Sequence, residues 1–294
     1  MKDLEKKDSR CDTCAIKAGC KERSLGEGSC EAKLPCSTIA HGIMVMSGKG
    51  GVGKSSFSAN LGAVLASRGA RVGILDADIH GPNIPRMLGI GDRHLEAGPL
   101  GLKPVEAMEN LKVVSMALLS SDSDRPIVWR GPAKHNLIRQ FAQKVEWGEL
   151  DFLLVDLPPG TGDEPLSVAR LVGRMDGSVV VTTPQEVAIL DSRKAVVFSQ
   201  MLKIPVLGIV ENMSGMSCPH CGGRIDLFRT GGGEKAAREL GVPFLGRIPI
   251  DPEMVELCDE GKPLALNRPD SPVRGAYLDL ATKILEQLPG AQGL

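Results

Sequence analysis

The 294-residue sequence carries 35 basic and 36 acidic side chains, a formal charge of −1, and 42% apolar residues, enough for a large core without staples. This balance excludes a wholesale electrostatic grip on nucleic acid or an anionic membrane, and six Phe, two Trp and one Tyr leave little material for base stacking. No apolar run approaches the ~20 residues of a spanning helix, and Met1–Lys7 lacks the apolar stretch of a signal peptide, so a cytoplasmic protein with no membrane or nucleic-acid partner is expected.

Residues 1–40 hold five of the eight cysteines, Cys11, Cys14, Cys20, Cys30 and Cys36, among Lys, Glu, Gly and Ser with no regular period. They read as a tail that orders around a metal, because a reducing compartment favours metal over disulfide. Ile43–Met46 then reads as a buried strand, followed by a helix over 54–68 with Phe57, Leu61, Val64 and Leu65 on one face. Further strands are predicted at 72–75, 113–116, 152–155, 178–181, 206–210 and 244–248, and further helices at 133–145, 186–202, 233–240 and 272–288. Continuous apolar runs are what a parallel sheet covered on both faces requires. Their alternation with helices predicts a single doubly wound, mainly parallel α/β domain over 41–290. The segment 213–233 has no period, is long for an unsupported loop, and contains Cys218 and Cys221. Cys258 reads as an ordinary thiol in a helix.

Between the first strand and helix lies Gly48-Lys49-Gly50-Gly51-Val52-Gly53-Lys54-Ser55, a match to G-x-x-x-x-G-K-[ST]. Its glycines let successive backbone N–H groups turn toward phosphate oxygens, and the helix N-terminus adds its dipole. Lys54 is expected to reach the β- and γ-phosphates of ATP, and Ser55 to ligate Mg²⁺. The strand ends Leu75-Asp76-Ala77-Asp78 and Val155-Asp156-Leu157-Pro158-Pro159-Gly160 converge on the same crevice. Carboxylates there can hold Mg²⁺ through its waters or orient an attacking water.

Lys49 inside the loop makes the motif resemble the deviant Walker A class of P-loop ATPases, which includes nitrogenase iron protein and the MinD/ParA proteins. The resemblance implies that Lys49 contacts nucleotide across a face-to-face dimer and that Asp76 activates water. It places Asp78 and Asp156 near Mg²⁺, Gly160 at the γ-phosphate, Asn212 at adenine and Asp251 near the base or ribose.

Longer motifs narrow the resemblance. Asp76-Ala77-Asp78-Ile79-His80-Gly81-Pro82-Asn83-Ile84-Pro85, Trp129-Arg130-Gly131-Pro132, Asp156 to Asp163, Glu211-Asn212-Met213-Ser214 and Cys218-Pro219-His220-Cys221-Gly222 are similar to the Mrp family of iron–sulfur cluster carrier ATPases. One Cys-x-x-Cys supplies two of the four ligands of zinc or a cubane cluster, and two-fold symmetry can supply the rest. The resemblance implies a homodimer in which Cys218 and Cys221 bridge a [4Fe-4S] cluster, delivered to apo iron–sulfur proteins alongside cluster-assembly proteins. Cys11, Cys14 and Cys20 resemble part of a ferredoxin-like tail of some members; only ten residues precede Cys11 where those members place another cysteine, so a fourth ligand would come from Cys30, Cys36 or outside the chain. The competing readings are a MinD/ParA-like positioning ATPase with structural zinc, and a reductase like nitrogenase iron protein. The reductase reading lacks a cysteine beside Pro158-Pro159-Gly160. The positioning reading would need the stripe Tyr277, Leu280, Ile284 and Leu288 to be a membrane face, whereas its flanking charges mark it as core.

Overall fold

The computed structural model describes residues 38–99, 101–119, 138–141, 143–173, 175–218 and 220–292. Cys11, Cys14, Cys20, Cys30, Cys36 and the Trp129–Pro132 motif lie outside them, as do residues 133–137 and 142 of the helix expected at 133–145; residues 138–141 and 143 are described and helical.

The chain runs through β1 (Thr38–Met46), α1 (Lys54–Ser67), β2 (Val72–Asp76) and a short α2 (Ile84–Met87). A small hairpin of β3 (Glu96–Ala97) and β4 (Leu102–Lys103) precedes β5 (Val105–Met108) and β6 (Leu111–Ser115). Then come β7 (Glu149–Asp156), β8 (Gly177–Thr182) and β9 (Val206–Glu211). The last strands are β10 (Met216–Ser217), β11 (Arg224–Ile225) and β12 (Phe244–Arg247). Longer helices cover Asp163–Val172, Glu186–Met201, Gly232–Leu240, Glu253–Asp259 and Pro272–Gln287.

Eight strands form one sheet in the order β12-β9-β8-β1-β7-β2-β6-β5, parallel except for the antiparallel edge pair β5–β6. Successive side chains of a strand point to opposite faces. Ile43 and Val45 of β1 therefore pack with Phe57 and Leu61 of α1 and with Tyr277 and Leu280, while Met44 and Met46 pack with Trp147, Val168 and Val196. Both faces are covered, which is why the central strands read as unbroken apolar runs. Tyr277, Leu280, Ile284 and Leu288 are all buried in the first of these cores, as their charge pattern predicts. Among the described residues no helix is long and apolar enough to cross a membrane.

The structure adds elements that the periodicity does not announce. β1 starts at Thr38 because Thr38 to Gly42 pair with Glu149 to Leu153 of β7, although their side chains are not a buried run. The helix Asp163–Val172 has only Pro165, Val168, Ala169 and Val172 buried, with Pro165 in its first turn where the missing N–H has no cost. Within 213–233, the two-residue strands β10 and β11 pair antiparallel and present Cys218 and Cys221 on the turn between them.

Candidate functional site

Strand order brings the chemistry together. β1, β7 and β2 are neighbours, and the register pairs Val45 with Asp156 and Asp76 with Asp156 across their carboxy ends. The loop after β1 turns into α1 at Gly53, whose φ of 84° is left-handed; a Cβ there would lie 2.2 Å from Asn212 Nδ2. Gly48 is needed for a different reason. A Cβ on it would lie 2.1 Å from the backbone carbonyl carbon of Asp191, so the loop rests directly on the Glu186–Met201 helix. Gly50 and Gly51 face open space, which leaves their N–H groups room for a phosphate.

Asp156 is the hub. Its carboxylate is 0% exposed; Oδ2 accepts from Lys54 Nζ at 2.7 Å and Ser55 Oγ at 2.7 Å, and Oδ1 accepts from Ser58 Oγ at 2.6 Å. Lys54 itself is 6% exposed, so charge pairing and hydroxyl donors together offset the desolvation of a buried ion pair. Asp76 is 1% exposed; Ser115 Oγ donates to its Oδ2 at 2.9 Å and the Asp78 N–H to its Oδ1 at 3.3 Å. Burial first, and then the neighbouring Asp156 carboxylate, push its pKa up to about 8, against the pull of Lys54 and Ser115.

Asp78 is half-buried, and its Oδ1 accepts from the N–H groups of His80 and Gly81 at 3.2 Å each, closing a turn at the strand end. Gly160 has φ 90°, and its N–H donates to the Ser47 carbonyl at 2.9 Å, tying the segment after β7 to the start of the phosphate loop. Lys49 lies half-buried in that loop. Asn212, expected at adenine, lies beside the phosphate loop, where its amide nitrogen donates to the Val52 carbonyl at 2.9 Å. Asp251, expected near the base or ribose, has a structural part here. Its oxygens accept from Glu253 N–H at 3.0 Å and Ser271 Oγ at 2.7 Å, anchoring the start of the Glu253–Asp259 helix.

The cysteine hairpin is a separate centre. Cys218 N–H donates to the Gly223 carbonyl at 2.8 Å and Gly222 N–H to the Cys218 carbonyl at 2.9 Å, a tight knuckle. Cys218 is partly exposed and Cys221 exposed. Backbone N–H groups of His220 and Cys221, with the Cys221 thiol, point at the Cys218 sulfur and lower its pKa, which favours a thiolate ligand. Among the described residues no group of three or more His, Cys, Asp or Glu could hold a metal, so among them this pair has no further ligand beside it. Cys258 lies apart; burial raises its pKa and makes it less reactive.

Three participants escape sequence reasoning. Ser58 follows Lys54 by one helical turn, so the i, i+4 spacing from the motif lysine is the signal that finds it. Ser115 reaches Asp76 only because β6 lies beside β2. Glu211 stands in the Glu211-Asn212-Met213-Ser214 motif with no role assigned to it there, yet it is a fully buried carboxylate with four partners.

Comparison with known proteins accords with this geometry. A family model described as ParA: NUBPL iron-transfer P-loop NTPase matches residues 38–285. The chain is 46% identical over 285 residues to an iron–sulfur cluster carrier protein of Methanocaldococcus jannaschii, covering 96% of this chain and 98% of that protein. It is 45% identical over 256 residues to a protein of the same description from Saccharolobus solfataricus, covering 87% and 86%. Among solved structures, a nucleotide-binding protein from Archaeoglobus fulgidus, in complex with ADP and with cobalt found, has a TM-score of 0.69 at 42% identity, over 79% of this chain and 90% of that one. The septum site-determining protein MinD from Pyrococcus horikoshii, complexed with Mg-ADP, has a TM-score of 0.66 at 22% identity over 87% and 100%, a likeness of fold. The chain belongs to the ParA family, as a NUBPL-type iron-transfer P-loop NTPase.

Proposed function

We propose that this protein is an ATP-hydrolysing iron–sulfur cluster carrier that holds a [4Fe-4S] cluster and delivers it to apoproteins. One observation carries the reading: a single chain combines a phosphate loop built around Lys54, Ser55 and Asp156 with a solvent-facing Cys218–Cys221 knuckle whose backbone donors favour thiolate. The descriptions of the relatives support it over a positioning ATPase.

The loop fits a nucleotide triphosphate. The open space at Gly50 and Gly51 leaves room for phosphate oxygens, and Lys54 is placed to neutralise them. Ser55 Oγ and the Asp156 carboxylate would hold Mg²⁺, an oxygen donor set suited to that ion. When bound, that ion neutralises charge developing between the β- and γ-phosphates. Asp76, the water-activating residue by resemblance, has both oxygens engaged inside the protein, so we assign water orientation to the half-buried Asp78. On this reading Asp76 and Ser115 hold the strand end from which Asp78 projects. Gly160, anchored to Ser47, lies at the γ-phosphate, and Lys49 reaches the nucleotide of a second copy.

Two cysteines offer half of a cluster's ligands, and a second copy related by two-fold symmetry supplies the other half. The carrier is therefore a homodimer that hands its cargo to apo iron–sulfur proteins. The cysteines Cys11, Cys14, Cys20 and Cys30 of the segment 1–40 form an accessory metal site in this scheme.

The test is anaerobic reconstitution with iron and sulfide of the wild type and of a Cys218→Ala/Cys221→Ala variant. Iron, sulfide and visible absorption should fall in the variant to what the amino-terminal cysteines alone retain. Unchanged iron and sulfide would overturn the bridging-cluster assignment, and so would zinc as the sole tightly bound metal.

A further inference from the structure

We propose that Glu211 is a positioning residue that, through its chain neighbour Asn212, couples the nucleotide loop to the cysteine hairpin. The proposal rests on the function given above and assigns how its two centres communicate.

The entry of the hairpin is tied to the residues after β12, Ser214 N–H donating to the Ile248 carbonyl at 2.9 Å and Ile250 N–H to the Gly215 carbonyl at 2.8 Å. β10 and β11 contribute two residues each, and residues 220–227 are exposed. Its two ends are joined to each other by a buried carboxylate. Glu211 Oε1 accepts from Ser214 Oγ at 2.5 Å, where the segment leaves the sheet, and from Gly231 N–H at 2.9 Å, where it returns. Oε2 accepts from Gly233 N–H at 2.5 Å, in the first turn of the Gly232–Leu240 helix. Arg247 of β12 stands 3.4 Å from Oε1 and balances the charge. Entry and exit of the hairpin thus meet on one side chain. The fit is close, because a Cβ on Gly233 would lie 3.1 Å from Glu211 Cβ.

The next residue faces the other centre. Asn212 N–H is fixed to the Thr182 carbonyl at 2.7 Å, and its side-chain amide holds the Val52 carbonyl inside the phosphate loop at 2.9 Å. Gly53 packs against the same amide. No flexible residue separates the two grips, so a shift of the loop about a bound phosphate moves the backbone that carries Glu211. Neither ATP hydrolysis nor the sheet requires a carboxylate at 211. Its partners lie at the two ends of the hairpin and on the adjacent β12.

Amide hydrogen exchange on the full-length metal-free protein tests this, with and without Mg-ADP, in wild type and Glu211→Gln. Mg-ADP should protect residues 48–55 in both. In wild type it should also change exchange across 213–233 by at least about fivefold, the lower end of ordinary coupling between sites. Glu211→Gln, with an amide facing backbone donors, should loosen 213–233 and abolish that nucleotide dependence. A merely structural role would loosen the hairpin and leave the nucleotide ratio unchanged, which would overturn the proposal. So would a wild-type hairpin indifferent to Mg-ADP while 48–55 is protected. Absence of protection at 48–55 in wild type would instead sink the nucleotide-site reading, and the coupling with it. Should Glu211→Gln not fold, Ser214→Ala carries the same comparison, and an undiminished ratio in that variant overturns the proposal.

Discussion

The Lys54 ammonium lies 2.7 Å from the Asp156 carboxylate with both groups buried, so each is the other's counter-ion at the base of the phosphate loop. Removing one partner of such a pair typically destabilises by about 3–5 kcal/mol, because the other is left as an uncompensated buried charge. Lys54→Ala and Asp156→Ala should each show this in chemical denaturation, and the double variant should lose less than the sum. Lys54→Ala should also abolish ADP binding by calorimetry while reconstituted iron and sulfide stay near wild type. Loss of cluster binding from the folded variant would show that the two centres are one.

Ser58 extends that hub. Its hydroxyl is 2.6 Å from Asp156 Oδ1 and has no place in the phosphate-loop motif. A hydrogen bond to a charged group is worth about 1.5–3 kcal/mol, so Ser58→Ala should lower stability by that order. Mg-ADP affinity should fall more steeply than that of ADP alone, since the carboxylate facing the Mg²⁺ position loses its anchor. Equal losses for both ligands would confine Ser58 to a structural role.

Asp76 predicts a pH dependence. Its pKa, about 8 in the folded protein, stands above the ordinary carboxylate value, so the folded state binds a proton that the unfolded chain has released. This contribution is full below the unfolded value and is lost as pH rises toward 8. Asp76→Asn, which stays neutral, should therefore melt progressively higher relative to wild type between pH 5 and pH 8. Each kcal/mol of that difference corresponds to about 2–4 °C in a domain of this size. A melting difference that stays flat across this range would contradict the raised value.

Gly48 and Gly50 belong to one motif but answer to different constraints. Gly48→Ala forces a Cβ to within 2.1 Å of the Asp191 backbone, whereas Gly50→Ala meets nothing within 4 Å. The first should destabilise by about 1–3 kcal/mol and the second by less than about 0.5 kcal/mol. Gly50→Ala should still weaken nucleotide binding, because its methyl group takes space beside the phosphates. A thermal melt and an ADP titration of the two variants separate packing from ligand contact.

The amino-acid sequence alone was sufficient for the parallel strands, the phosphate loop and the pairing of Cys218 with Cys221 as candidate ligands, because each rests on local rules. A strand covered on both faces, such as Val179–Val181, must be a continuous apolar run, and a phosphate cradle needs its glycines and lysine within a few residues. Asp76 and Asp156 were legible as strand ends, but their register, and the burial and carboxylate neighbour that raise the pKa of Asp76, depend on β7 lying beside β2. The tertiary structure alone decided the partners of Ser58, Ser115 and Glu211, the packing duty of Gly48, and the turning of Asp251 to anchor a helix. These depend on side chains and backbone groups brought together across the chain, where hydrogen bonding in a buried setting leaves no periodic trace in the sequence. The same holds for Glu211 and Asn212: neighbours in the chain, they take opposite partners because β9 ends between the phosphate loop and the cysteine hairpin.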